Sequence, residues 1–390
     1  MNTDILNTSC EILSKLISFD TTSRNSNLGI VDWIEGYLAD IGVQSTIVRD
    51  EKMDKANLYA TIGPKDKPGI MLSGHLDVVP VDGQEWSSDP FDLISRDDKL
   101  FGRGTCDMKG FIAICLAYAP LFHQANLKTP IHLAFTYDEE VTCAGALTLI
   151  EAINSFPIKP AMCIVGEPTG MQVVTGHKSG FALLTTVTGF ETHSSLAPQG
   201  VNAIEYACEL IVFLRSMARN FEENGPFAEG YDIGFNTVQT GLIKGGSALN
   251  IVPRECIFEF EFRLLPDYDV AALRKQIDTF IENVLEPKMK AIHSEAGIKL
   301  EETLYMPGFE LDPGDDVIAF VRALAARNDD IKVAYQTEAG LFAQNANIPS
   351  AICGPGHISQ AHKPDEYVSI DQLDKCCQFM SRLLDRTSRQ

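Results

Sequence analysis

A chain of 390 residues is long for one hydrophobic core, so two domains are expected. Apolar content of 45% and charged content of 22% are ordinary for a globular protein. A net charge of −21, from 53 acidic against 32 basic residues, repels phosphate backbones and anionic bilayers and sets nucleic acid and membranes aside as partners.

The first stretch, MNTDILNTSCEILSKL, reads as an amphipathic helix. It carries acids and lacks the basic n-region of a secretory signal. No apolar run is long enough to span a bilayer. The ten cysteines are scattered without a CxxC pair, several inside apolar runs (Cys115, Cys163, Cys208). Reduced, mostly buried thiols in a cytoplasmic protein are expected, not a disulfide framework.

Next come buried-strand runs alternating with helical patterns. The strands are GIMLSGH, IHLAFTYDEE, AMCIVGEP and IPSAICGPG, with helices expected over 109–120 and 145–155. Such alternation predicts an α/β fold: a largely parallel sheet with helices on both faces. In these sheets the ligand site lies beyond the carboxyl ends of the strands. The first three runs end in His75, Glu139–Glu140 and Glu167, and the fourth leads through a glycine turn toward His362. From about 179 the order becomes strand, helix (201–223), strand, strand, helix (267–289), strand. That is the β-α-β-β-α-β arrangement of a ferredoxin-like α+β domain. The expected organisation is a discontinuous catalytic domain, 1–178 and 292–390, with an inserted lid and dimerisation domain, 179–291.

Charged groups at the ends of core strands are costly unless something pairs with them. His75 and Asp77 share one face of a strand, and a ligating histidine usually donates its second ring nitrogen to a carboxylate or carbonyl. Asp77 is placed to support His75 or to orient a base; alone, the pair reads as a capped strand end. Asp107, in the glycine-rich FGRGTCDMKGF, would alone be a helix cap. The adjacent Glu139 and Glu140 repel each other unless cations share them. One would hold metal while the other accepts a proton from water. His75, Asp107, Glu140, Glu167 and His362 therefore form a candidate site for two divalent ions, with zinc, cobalt or manganese suiting the donors. His123, His132, His177 and His293 read as ordinary, and His357 fits either reading. There is no GxGxxG for a nucleotide and no G-x-S-x-G elbow.

SGHLDVVP, GRGTCDMKG, TYDEE, GEPT, THSS, ALNIVP, FEFRLLP and GPGHISQAHKPDEY, in this order, resemble the di-zinc aminoacylase and carboxypeptidase-type metallohydrolases over about residues 10–385. The last word, with YQTEAGLF at 335–342, looks most like the acetylornithine deacetylase branch. The resemblance implies Asp107 as the bridging carboxylate, His75 and Glu167 on one metal, and Glu140 and His362 on the other. It implies Glu139 as general base, Asp77 as support for His75, and His193 as oxyanion partner, in some members across a subunit boundary. Arg263 and Asn250 match positions associated with the substrate carboxylate. Glu338 is the candidate partner for a substrate ammonium, the plain alternative being a helix N-terminal carboxylate. Position 167 departs from the aspartate common in the family. The implied function is a zinc-dependent, cytoplasmic, homodimeric deacetylase that converts N2-acetylornithine to ornithine and acetate in arginine biosynthesis. Succinyl-diaminopimelate desuccinylase, aminoacylase and dipeptidase are its rivals of the same chemistry. A non-catalytic relative that keeps the fold for binding is a rival of another class, which the presence of every ligand-type residue opposes.

Overall fold

The computed structural model describes residues 3–50 and 52–388. They form two compact units: one runs up to Gly176 and adds Glu310–Ile331 and Thr337 onward, the other comprises His177–Phe309 and Lys332–Gln336. The chain thus divides at 177 and 309, where the sequence reading put 179 and 291. The reason is the Gly297–Met306 strand, which pairs along its length with Ser179–Thr188 and so belongs to the second unit's sheet.

The first unit is α/β with a largely parallel sheet. Ile131–Thr136, Ile70–His75, Met162–Pro168 and Ser350–Gly354 lie side by side, all parallel. A hairpin of Ser45–Asp50 and Lys55–Ile62 adds antiparallel strands beside Ile131–Thr136. Every residue of Ile70–His75 and Ile131–Thr136 is buried, as near-continuous apolar runs predict for a parallel sheet covered on both sides. Parallel strands point their carboxyl ends the same way. The register pairs His75 with Thr136, so the segments carrying His75, Glu139–Glu140, Glu167 and the turn after Gly354 emerge on one rim. Asp107 reaches that rim from a loop before the helix Lys109–Gln124, a helix buried on nearly every face by the sheet and by the N-terminal helix Thr3–Ile17.

The second unit has the strand order Thr237–Gly245, Glu255–Leu264, Ser179–Thr188, Gly297–Met306, all antiparallel. This is the ferredoxin-like order. Burial in Glu255–Leu264 alternates with period two, putting Phe258, Phe260 and Phe262 into the core and Arg263 on the outer face. Leu210 and Leu214 of the helix Ala203–Asn224, and Leu273 and Ile277 of Val270–Phe280, close that core. The expected helices are present, although the 267–289 stretch is broken into α-helix, a π-turn at Ile281–Leu285 and a last α-turn containing Pro287. Nine of the ten cysteines are buried or partly buried; Cys208 is exposed, because its apolar surroundings belong to an amphipathic helix and not to a strand. Among the described residues no helix is long and apolar enough to cross a membrane.

Candidate metal centre

His75 ends its strand 1% exposed. Its Nδ1 lies 2.9 Å from the Asp77 carbonyl oxygen and 3.4 Å from Asp77 Oδ1. Nδ1–H donates to that carbonyl; Nε2 then donates to Asp107 when the ring is protonated and offers its lone pair to a metal when the ring is neutral. Nε2 faces Asp107 Oδ1 at 3.0 Å and Glu167 Oε1 at 3.7 Å. On the other side of the same carboxylate, His362 Nε2 lies 3.2 Å from Asp107 Oδ2 and 3.0 Å from Glu140 Oε2. Asp107 therefore stands between two imidazoles, one oxygen toward each. It does not cap the following helix, whose N-cap is Met108. His362 occupies a left-handed backbone conformation (φ 60°) and its side chain is half-exposed, so one histidine is sealed in the core and the other stands at the surface. Ligand-type atoms of His75, Asp107 and Glu140 lie within 4.8 Å of one another, and so do those of His75, Glu139 and Glu167.

Asp77 does more than support His75. Its Oδ1 accepts the Glu139 backbone N–H at 3.0 Å, and its Oδ2 accepts the Glu140 N–H at 3.3 Å and the Ser23 hydroxyl at 2.7 Å. One buried residue thus holds a ring through its carbonyl and the backbone of the paired glutamates through its carboxylate. The preceding residue, Asp138, is left-handed (φ 55°) and ion-paired with the buried Lys55, which also donates to the Ser23 carbonyl. Nothing local in the sequence marks that pair; the partners are 83 positions apart.

The electrostatics is that of anions crowded in a dry place. Burial pushes Glu139 well above the ordinary carboxyl range, with Glu140 adding and His75 opposing. Burial and then the Asp107 charge push Glu167 well up and Glu140 to about 7. Asp107 goes the other way: burial opposes its charge, but hydrogen bonds from His362 and His75 outweigh burial and hold it low. His362 is raised to about 10 by its bonds to Asp107 and Glu140. Glu167 Oε1 is buried with no hydrogen-bond partner among the described residues. Carboxylates forced together, one orphaned buried oxygen and an N/O donor set without thiolate fit divalent cations of the zinc, cobalt or manganese kind.

Glu338, the candidate for a substrate ammonium, sits at the N-cap of Ala339–Ala346 without capping it. It is 1% exposed, accepts from Thr136 Oγ1 at 2.6 Å and Ser73 Oγ at 3.4 Å, and burial raises it to about 7. It is a buried carboxyl behind the strand ends, not a surface cap. The remaining candidates lie in the second unit. His193 is exposed, and its Nδ1 accepts from the Ser195 backbone N–H at 3.2 Å, leaving Nε2 as a free donor in the neutral ring. The Asn250 carbonyl accepts from Ser194 N at 3.0 Å, so the THSS and ALNIVP segments adjoin. Arg263 is paired with Glu261 at 2.8 Å, and with the Gln336 amide turned to accept, it donates there at 2.9 Å.

The sequence profile of the peptidase family M20/M25/M40 matches residues 71–386. Acetylornithine deacetylase from Pasteurella multocida (strain Pm70) is 31% identical over 373 residues, covering 94% of this chain and 93% of its own. The fold is similar to an M20-family metallo-carboxypeptidase from Sulfolobus solfataricus (TM-score 0.76, 18% identity, 96% of this chain and 98% of that one). It is also similar to a dinuclear metal-binding M20 peptidase from Bacillus subtilis (TM-score 0.68, 15% identity, 98% of each chain).

Proposed function

The chain belongs to the peptidase family M20/M25/M40, and from that premise we propose that it removes the acetyl group from N2-acetylornithine, giving ornithine and acetate. The Asp107 carboxylate set between His75 and His362, with Glu139, Glu140 and Glu167 around it, supports hydrolysis. Likeness to an acetylornithine deacetylase over 94% of the chain supports the substrate.

His75, Asp107 and Glu167 would hold one divalent ion, and Asp107, Glu140 and His362 a second, zinc by donor type. Such ions polarise an amide carbonyl and lower the pKa of bound water. The family resemblance assigns proton traffic to Glu139: it takes a proton from the attacking water and returns it to the leaving amine. Asp77 holds it there through the Glu139 backbone N–H. By the family resemblance, His193 would be the partner of the developing oxyanion and Arg263 would pair with the substrate carboxylate. An ammonium near Glu338 would favour that carboxyl's ionised form against the burial that opposes it.

The test is kcat/KM measured side by side on acetylornithine, succinyl-diaminopimelate, acetylmethionine and a dipeptide. Acetylornithine is expected to lead. A tenfold advantage for any other would overturn the substrate while leaving the hydrolytic chemistry standing.

A further inference from the structure

Asp107 lies in a loop that owes little to regular secondary structure, between the short strand Lys99–Phe101 and the helix Lys109–Gln124. A ligand on such a loop needs something else to fix it. The antiparallel register Tyr367↔Phe101, Val368↔Leu100, Ser369↔Lys99 runs the chain leaving Phe101 against the chain arriving at Tyr367. The loop with Asp107 and the loop with His362 are therefore brought face to face.

Between them sits Glu366, 1% exposed. Its Oε1 accepts the backbone N–H of Cys106 at 2.9 Å and of Asp107 at 3.1 Å. Its Oε2 accepts the Gly104 N–H at 3.1 Å and the Arg103 Nη1 at 2.7 Å. Arg103 is equally buried. It donates through Nη2 to Gln84 Oε1 at 2.6 Å and through Nη1 to the Lys363 carbonyl at 3.4 Å, with its guanidinium 5.0 Å over the Trp86 ring. Gln84 Nε2 in turn donates to the His362 carbonyl at 3.1 Å. Gly104 is left-handed (φ 85°), and a Cβ there would stand 2.7 Å from Val78, so the loop can turn its amides onto one carboxylate only with glycine at that point.

We propose that Glu366, Arg103 and Gln84 are positioning residues that hold the Asp107 and His362 loops at one spacing and thereby set the affinity of the centre for its metals. None of the three points an atom at Asp107 Oδ1, Asp107 Oδ2 or His362 Nε2. A carboxylate suits the role because it is acceptor-only: the backbone N–H groups of Gly104, Cys106 and Asp107 and the Arg103 Nη1 all converge on it. An amide in its place would turn two of its own hydrogens toward those donors. The proposal rests on the metal-dependent reading above.

The experiment strips wild type, Glu366→Gln and Gln84→Leu of metal, then titrates cobalt(II) alone while recording heat and the visible d–d absorption. The thermal midpoint of each stripped protein is measured in parallel. Wild type is expected to take up about two equivalents. Outer partners of metal ligands are typically worth 10–100-fold in affinity. Glu366→Gln should lose that much and show an altered d–d band, because the direction from which Asp107 reaches the metal has moved. Gln84→Leu leaves Glu366 and the amides it accepts in place but cuts the bonds of Gln84 to the His362 carbonyl, to Arg103 Nη2 and to Trp86 Nε1; it should lose affinity for one of the two equivalents, whatever its thermal midpoint. A lowered midpoint with cobalt affinity and spectrum unchanged would make the network merely structural and overturn the proposal. If Glu366→Gln does not fold, Gln84→Leu decides alone: wild-type affinity for both equivalents refutes the idea. If wild type itself takes up no cobalt, it is the metal-dependent reading that fails, a result seen before any variant is made.

Discussion

Replacing His132 by glutamine should remove a large part of the acid sensitivity of the first unit. His132 lies at the start of the Ile131–Thr136 strand, 5% exposed, stacked on Tyr59 and hydrogen-bonded through Nδ1 to Thr61 Oγ1 at 3.0 Å. Its Nε2 has no partner among the described residues, and Lys65 and Lys67 line the same cavity. Charging the ring therefore adds a buried proton with nothing to receive it. Burial lowers the pKa from 6.5 to about 4. The folded value lies below the unfolded one, so between about pH 4 and 6.5 the unfolded chain binds more protons, and stability falls as pH falls through that window. From the two values, the loss between pH 8 and pH 5 is about 2 kcal/mol, rising to about 3 kcal/mol below pH 4. Glutamine keeps a hydrogen-bonding partner for Thr61 and does not titrate. Urea unfolding of the metal-stripped proteins at pH 8 and pH 5 gives the comparison, since the carboxylates of the metal centre titrate alike in both and cancel. The variant should lose about 2 kcal/mol less than wild type. Equal losses would show that His132 carries no unfavourable charging in the fold, and the reasoning from burial would be wrong.

Glu139→Gln should retain bound metal while turnover falls by at least ~10²-fold, the usual scale of a general base; loss of metal with normal rate per remaining metal would exchange its role with that of Glu140. His75→Ala should lower metal content by elemental analysis more than its effect on the melting midpoint explains, because its Nε2 faces both Asp107 and Glu167. Lys55→Met should cost ~3–5 kcal/mol in urea unfolding by leaving Asp138 buried and unpaired. The double variant Lys55→Met/Asp138→Asn should recover part of that, and no recovery would mean the pair's charges are not what the site depends on. His193→Ala should lower kcat more than it raises KM, and an unchanged kcat would remove it from the chemistry.

The rim of the sheet was legible in the string because two simple rules coincide. Runs of buried-strand length mark parallel strands, and parallel strands all deliver their last residues to one edge. His75, Glu140 and Glu167 follow from that alone. Asp107 and His362 are less direct, since both sit on loops: the fourth run points through a glycine turn toward His362, Asp107 alone reads as a helix cap, and the order of whole words strengthens both. The supporting groups were invisible for a different reason. Lys55 and Asp138, or Arg103 and Glu366, look like surface charges in sequence, and no periodicity brings together partners 83 or 263 residues apart. The β-α-β-β-α-β order already calls for a last strand after the 267–289 helix, yet the bound at 291 leaves it out; Gly297–Met306 is that strand and carries the second unit on to 309. Glu338 reads as a helix-start acid until the fold shows it pressed against Thr136 and Ser73.

The first unit leaves the chain at Gly176 and resumes at Glu310, which has a consequence for how the centre comes into being during synthesis. His75, Asp107, Glu140 and Glu167 all precede the break, whereas His362 and the clamp residue Glu366 follow it. Roughly 200 residues separate Glu167 from His362, so at about 5–20 residues per second the ribosome holds a half-built site for on the order of 10–40 s. Through that interval the nascent chain carries most of the negative charge and one of the two imidazoles, without the Glu366 carboxylate that draws in the Asp107 loop. It is a carboxylate-rich set with one imidazole. Only insertion of Ser350–Gly354 beside Met162–Pro168 turns it into a shaped nitrogen-and-oxygen site. On the proposed metal-dependent reading, metal selection would be postponed to the end of folding, when geometry, and not mere excess of charge, chooses the ion.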